Sequence, residues 1–187
     1  MHKRGITSSE LCKNYKDDKF LVVVDRSRGK KTYYTLAAIK RIDQYKLLRY
    51  ADRFKHVRKL GKRSRQIYFS VALAIIKKLR VNDVVKIWYI GDNFPNLLKI
   101  IQRLDLDKVE IFLVDNHLIK PLKRIVEADL IIGEGELEKR RRFLYKKEIS
   151  ISALRTLMNI ADTLANYIRI QVEKERRPLS YVLRSFI

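Results

Sequence analysis

From Ser64 onward the apolar residues of this chain switch repeatedly between two periods, and that switching constrains the fold more than any other feature. Ile67, Val71, Ile75 and Leu79 recur at about 3.6 residues, which predicts a helix over 65–79 with Ser64 as its N-cap. Val84-Val85-Lys86-Ile87-Trp88-Tyr89-Ile90 is apolar nearly throughout, as a central strand covered on both faces would be, and it ends at Gly91-Asp92-Asn93. Phe94, Leu97, Leu98, Ile101 and Leu104 return to the helical period, with Pro95 placed where a helix start tolerates it. A further strand over 109–114 ends at Asp115-Asn116-His117. Such alternation predicts parallel strands joined by helical crossovers, and hence an α/β fold.

The remaining segments complete this reading. Phe20-Leu21-Val22-Val23-Val24-Asp25 reads as a strand, and 31–40 as its hairpin partner across a turn at Gly29. Residues 53–60 supply a third strand, so the expected order is three strands, helix, strand, helix, strand, final helix. Between 118 and 149 lie a short helix at 119–127, an apolar patch at 130–132 and a basic block at 139–147. The final helix, 151–174, keeps Ile151, Leu154, Leu157, Met158, Ala161, Ala165, Ile168 and Val172 on one face until Pro178 stops it. The domain expected is therefore 20–174 with 118–149 inserted, preceded by a basic arm at 1–19 and followed by a tail at 175–187.

Charge narrows the function. Lys and Arg number 42 against 21 Asp and Glu, a formal net charge of +21, while hydrophobic residues make up 47% of the chain. That is a folded protein whose surface repels itself, and the usual compensation is a polyanion, nucleic acid first. Adaptation to high temperature, as in a thermophile, also raises charge, but it raises Lys and Glu together and leaves a two-to-one basic excess unexplained. Cys12 is the only cysteine, so neither a disulfide framework nor a Cys-based zinc site is expected. No apolar run reaches the roughly 18–20 residues of a membrane span, and Met1 to Lys19 carries no signal-peptide stretch, so a cytoplasmic protein without membrane association is expected. A free sheet edge would permit dimerisation, but no residue demands it.

Several kinds of site are excluded. There is no phosphate loop, Gly133-Glu134-Gly135-Glu136 has the wrong charge to cradle phosphates, and His2, His56 and His117 are too dispersed for a zinc set. Carboxylates at element ends remain: Asp25, Asp92 and Asp115 after strands, and Asp162 within the last helix. Neighbouring strand ends lie about 5 Å apart, so acids there can converge on divalent cations, with oxygen donors suited to Mg²⁺ or Mn²⁺. Each also has a structural use: Asp92 or Asn93 as a helix cap, Asp115 as a turn former, Asp25 as a partner of Arg26 or Arg28. Asp162 stands out because Asn159, Met158, Ala165 and Asn166, its neighbours on the helix, are all uncharged.

This pattern resembles the RNase H-like superfamily in its element order and in acids on the first strand, after the fourth strand and on the last helix. Val24-Asp25, Gly91-Asp92 and Asn159-Ile160-Ala161-Asp162-Thr163-Leu164-Ala165 occupy those positions. The last segment is similar to the Asn-x-x-Ala-Asp-x-Leu-Ala signature of cellular RNase H enzymes, and also to the Ala-Asp pair of a transposon- and integrase-related branch. Gln66 stands where those enzymes carry a Glu, and Arg26 where they carry a Gly after the first Asp. The resemblance implies an RNase H-like mixed five-stranded sheet flanked by helices, with a basic insertion before the long C-terminal helix. It implies two-metal hydrolysis of a phosphodiester, one cation activating water and the other stabilising the leaving oxygen. On that analogy Asp25 bridges both metals, Asp92 and Asp162 each bind one side, and Asp115 is a reserve ligand. His117 would shuttle protons, and Gln66 would orient water or bind a metal weakly.

Two basic stretches would hold the substrate through its phosphates: Arg53, Lys55, Arg58, Lys59, Lys62, Arg63 and Arg65, and then Lys139, Arg140, Arg141, Arg142, Lys146 and Lys147. Phe54, Phe143 and Tyr145 among them either stack on bases or anchor their loops to the core. The function expected is a metal-dependent nuclease or related phosphodiester-processing enzyme acting on RNA, DNA or a hybrid. The alternative is a non-catalytic nucleic-acid-binding protein, including a ribosome-associated one, on the same fold.

Overall fold

The computed structural model describes residues 19–57, 60–127, 130–139, 143–144, 149–184 and 186. The chain begins with a hairpin. Strand β1 (Phe20–Arg28) pairs antiparallel with β2 (Thr32–Lys40), and Glu173 Oε1 accepts the Lys31 N–H at the hairpin turn. A short helix α1 (Gln44–Leu48) and a 3₁₀ turn (Ala51–Arg53) lead into α2 (Lys62–Val81), then strand β3 (Lys86–Gly91) and helix α3 (Phe94–Gln102). Strand β4 (Val109–Val114) is followed by α4 (Ile119–Leu122), the three-residue strand β5 (Ile131–Gly133), α5 (Glu134–Lys139) and the small hairpin β6 (Phe143–Leu144) and β7 (Ile149–Ser150). The long helix α6 (Ile151–Glu173) and the short α7 (Leu179–Arg184) complete the chain.

The main sheet is mixed and five-stranded, in the order β3-β2-β1-β4-β5. β1, β2 and β3 form an antiparallel half, while β4 and β5 run parallel to β1. Strand side chains alternate between faces, so each central strand feeds two cores. Leu21, Val23, Ile111 and Leu113 pack with α6 and α2, and Val22, Val24, Phe112 and Val114 pack with α3 and α4. These strands are almost wholly buried, which explains why they read as continuous apolar runs.

Three expectations are corrected. Residues 53–60 do not add a strand: the described part, through Val57, is a 3₁₀ turn and an extended strap. The strand at 86–91 is therefore the third in chain order, and it lies at an edge with its first five residues only half buried. The helix expected at 65–79 spans 62–81 with Gly61 as N-cap, so Ser64 lies inside it. It also turns a different face inward: Phe69, Ala72, Ile76 and Leu79 are buried, while Ile67 is 68% and Val71 49% exposed. Asn93 does cap α3, its side chain accepting the Asn96 N–H at 3.0 Å.

The orientation of α2 is testable. Ile76→Ala should destabilise the protein by about 2–5 kcal/mol in a denaturant titration, whereas Ile67→Ala should change stability by less than about 0.5 kcal/mol. Equal effects would contradict the observed face.

Candidate carboxylate site

The register of the parallel strands builds a row of acids. Val24 pairs with Val114, and Val114 with Gly133. The next residue on each chain is therefore Asp25, Asp115 and Glu134, all at the C-terminal ends of adjacent strands. The Asp115 N–H donates to Val24 O at 3.1 Å, which holds that register past the end of β4. Asp25 projects to the same face as Leu21 and Val23, toward α6, where Asp162 is also buried; each of the two is 5% exposed.

Electrostatics identify the group. Burial holds the Asp25 carboxyl well above the usual carboxylate range, and the charge of Asp162 raises it further. The Arg26 backbone N–H opposes the rise, while Glu134 and Asp115 add to it. Carboxylates about 5 Å apart repel by on the order of 3 kcal/mol at an effective dielectric near 20. That exceeds a typical net hydrogen bond of about 1 kcal/mol, so hydrogen bonding alone does not neutralise the cluster.

Asp162 is the best-anchored member. Its Oδ2 accepts the Val57 N–H at 2.8 Å and lies 2.8 Å from His56 Nδ1; its Oδ1 accepts from Asn166 Nδ2 at 2.7 Å. Asn166 Oδ1 in turn accepts the Ser27 hydroxyl at 2.9 Å, and Ser27 Oγ accepts Arg169 Nε at 2.8 Å. The strap at 54–57 is held along its length: Asn159 Nδ2 donates to Phe54 O at 3.2 Å, and the Tyr68 hydroxyl lies between the Lys55 backbone and Thr163 Oγ1. Phe54 and Val57 are buried beneath it.

Glu134 is placed by a small clamp. Asn116 Oδ1 accepts the Gly135 N–H at 3.2 Å, and a side chain at Gly133 would meet that same Oδ1 at 2.7 Å. Glycine at 133 is what lets the Asn116 loop close over the end of β5. Glu134 also lines an open cleft of about 540 Å³ together with Lys55, His56, Arg155 and Asn159.

The expected site residues divide accordingly. Asp25, Asp162 and the reserve ligand Asp115 come together. Asp92 lies two strands and two residues away from Asp25, beyond Gly91, and pairs with Lys31 Nζ at 3.1 Å. Gln66 is exposed and lines a separate cleft with Phe69, Tyr167 and Gln171. The backbone N–H of His117 donates to Asp115 Oδ1, while the residue itself is exposed. Asp25 does not pair with Arg26, whose Nε lies 3.4 Å from Asp115 instead. The sequence pattern does not single out Glu134 or His56, and the structure brings both to the site. Among the basic residues, Arg53, Lys55, Lys62, Arg63 and Lys139 are exposed, and Arg65 donates to Leu60 O. Arg58, Lys59, Arg140, Arg141, Arg142, Lys146 and Lys147 lie outside the described residues, as does most of the 1–19 arm.

Among the described residues no three His, Cys, Asp or Glu side chains already close into a ligand set. Asp115 Oδ1 and both oxygens of Asp162 already meet protein donors. Among the described residues no helix is long and apolar enough to cross a membrane. Comparisons with protein-family models, with curated proteins and with solved structures find no match to this chain.

The raised Asp25 has a stability consequence with a definite sign. The folded protein keeps this proton to higher pH than the unfolded chain does, so stability falls as pH rises through the folded value. Asp25→Asn should therefore raise the melting temperature at neutral pH, by about 2–4 °C for each kcal/mol of strain removed. The gain should vanish near about pH 3, where the unfolded carboxyl is protonated as well. A variant less stable than the parent at neutral pH would contradict a repulsive cluster.

Proposed function

We propose that this chain is a metal-dependent nuclease or related phosphodiester-processing enzyme on an RNase H-like domain. One observation carries the reading: acids from four separate stretches of a +21 chain converge, three at the ends of parallel strands and one near the middle of the long helix. Because 53–57 is not a strand, the fourth strand in chain order is β4. Acids on the first strand, after the fourth and on the last helix are then Asp25, Asp115 and Asp162. Asp115 thus takes the position expected of Asp92, while two strands rather than three precede the first long helix.

The donors suit Mg²⁺ or Mn²⁺: all are carboxylate oxygens, and a polar atom beside them is unused. Thr35, fully buried and paired in register with Asp25, has a hydroxyl with no hydrogen-bond partner among the described residues. Asp25, Asp115, Glu134 and Asp162 would hold the cation, which would polarise the phosphate and make a bound water more acidic. The protein's own part is positional. Asp162 fixes the strap, the strap presents Lys55 and His56 to the cleft, and Arg155 adds a second cation where a phosphate would rest. The protein donors already on Asp115 and Asp162 favour a second reading, a nucleic-acid-binding module without catalysis.

Labelled single-stranded, double-stranded and hybrid substrates, incubated with and without Mn²⁺, separate the two. Cleavage should require Mg²⁺ or Mn²⁺. Asp25→Asn, Asp115→Asn and Asp162→Asn should each lower it by roughly 100- to 10,000-fold, equivalent to about 3–5 kcal/mol. Asp92→Asn should leave it unchanged, and calorimetry should show Mn²⁺ binding abolished by Asp25→Asn. Binding without cleavage of any substrate would establish the second reading instead.

A further inference from the structure

A second basic groove lies at the other end of α2. The strap beside the carboxylate site is met by the start of this helix, through Tyr68. Lys77 and Arg80, nine and twelve residues later, stand about 14 and 18 Å further along at 1.5 Å per residue. There the helix ends in a tight turn, with Asp83 at φ 54°, and the chain enters the edge strand β3. Lys77, Arg80, Lys86 and Arg184 of α7 surround a groove of about 800 Å³ along that edge, with Trp88 and Phe186 among its walls. A smaller hollow of about 180 Å³, also bounded by Arg80, Trp88 and Phe186, continues it along β3.

Two features say what such a groove accepts. The four cations face one acid, Asp83, which is already paired with Lys86 at 2.9 Å. Lys77, Arg80 and Arg184 have no ion-pair partner among the described residues, so the groove keeps an uncompensated positive charge. Its aromatic rings are only partly buried, although Trp88 and its neighbours belong to a strand as apolar as the central ones. Trp88 meets Phe20 and Phe186 meets Tyr167 edge-to-face, which fixes the two half-buried rings in place. Cations beside such rings are the two elements of single-strand recognition, in which cations track the backbone and unpaired bases stack. An acidic peptide would use the charges and leave the rings idle. A base-paired duplex would likewise offer them no free base face.

We infer that this groove, formed by Lys77, Arg80, Lys86 and Arg184 around Trp88 and Phe186, is a binding site for single-stranded nucleic acid separate from the carboxylate site. It does not depend on catalysis at Asp25, and it would hold equally for a protein that only binds.

Trp88 is the sole tryptophan of the chain and so reports on this groove alone. The full-length protein is titrated with short oligothymidylate while Trp88 emission and the anisotropy of an end-labelled copy are followed together. Emission should change in step with binding. The variant Lys77→Gln/Arg80→Gln/Arg184→Gln, in which Lys77 and Arg184 are exposed and Arg80 half-buried, should weaken binding at least about tenfold, and its salt slope should fall by about 2, or roughly 0.7 for each phosphate that the removed cations no longer neutralise. The titration is run in EDTA, where no metal-dependent cleavage occurs, so its outcome is distinguishable from any failure of the cleavage reading. No binding, binding with unchanged Trp88 emission, or a triple variant with parental affinity would each overturn the inference. So would polyglutamate altering the emission as strongly as the oligonucleotide does, because the groove would then be a dock for acidic protein.

Discussion

The structure turns on a repulsion that the backbone imposes. Parallel strands end side by side about 5 Å apart, and here three of them end on carboxylates while α6 brings a fourth. Among the described residues no lysine or arginine pairs with Asp25; its carboxyl is instead held toward its protonated form by burial and by Asp162. A sheet needing only stability would place a hydrophobe or a neutral hydrogen-bonding group there. Burying an acid among acids makes sense where something outside the chain supplies the opposite charge.

Asp162 is the hub that makes this arrangement rigid. It receives hydrogen bonds from Val57 and Asn166 and contacts the imidazole of His56, so its orientation is fixed from three sides. Through Asn166 and Ser27 the network reaches Arg169, which places a positive charge near Asp162 without a direct ion pair. The strap follows from the same bonds. Its backbone groups meet side chains of α6 and α2 rather than a neighbouring strand, and Phe54 and Val57 anchor it in the core. A mainly polar, basic segment can cross the sheet's helical face in this way because its polar groups are satisfied one at a time.

The same physics explains what the sequence does and does not disclose. β1, β4, α3 and α6 are legible because burial on two faces, or on one stripe, writes a period into the residues. The strap is misread as a strand because Phe54 and Val57 supply apolar residues while the partners of its backbone, Asn159 for Phe54, Tyr68 for Lys55 and Asp162 for Val57, lie elsewhere in the chain. β3 looks central because Ile87 and Ile90 pack on one face of the sheet and Trp88 and Tyr89 on the other, yet only β2 pairs with it. The face of α2 is misjudged because Ile67 and Val71 satisfy the same period as the buried set one position away. Asp25 and Asp162 are recoverable from pattern. Glu134 is not, since β5 has three residues and its acid sits between glycines that read as a loop.

The acids and the bases of this chain occupy opposite physical regimes, and that division fits two tasks. The carboxylates of the cluster sit on short side chains at the ends of buried strands and on a buried helix, so little rotational freedom remains to be lost when a ligand arrives. The described cations of the two clefts sit mostly on long, exposed side chains, where they attract phosphates at range but hold none in a fixed geometry. Geometric precision therefore belongs to the carboxylate cluster and capture to the surfaces around it. A net charge of +21 destabilises the folded chain through self-repulsion until a polyanion screens it. Asp25 does little to relieve that repulsion, because burial and the charge of Asp162 hold its carboxyl toward the protonated form. On the proposed function one event would correct both imbalances: a nucleic acid would neutralise the surface as it brought its phosphates, with their accompanying cations, to the carboxylates.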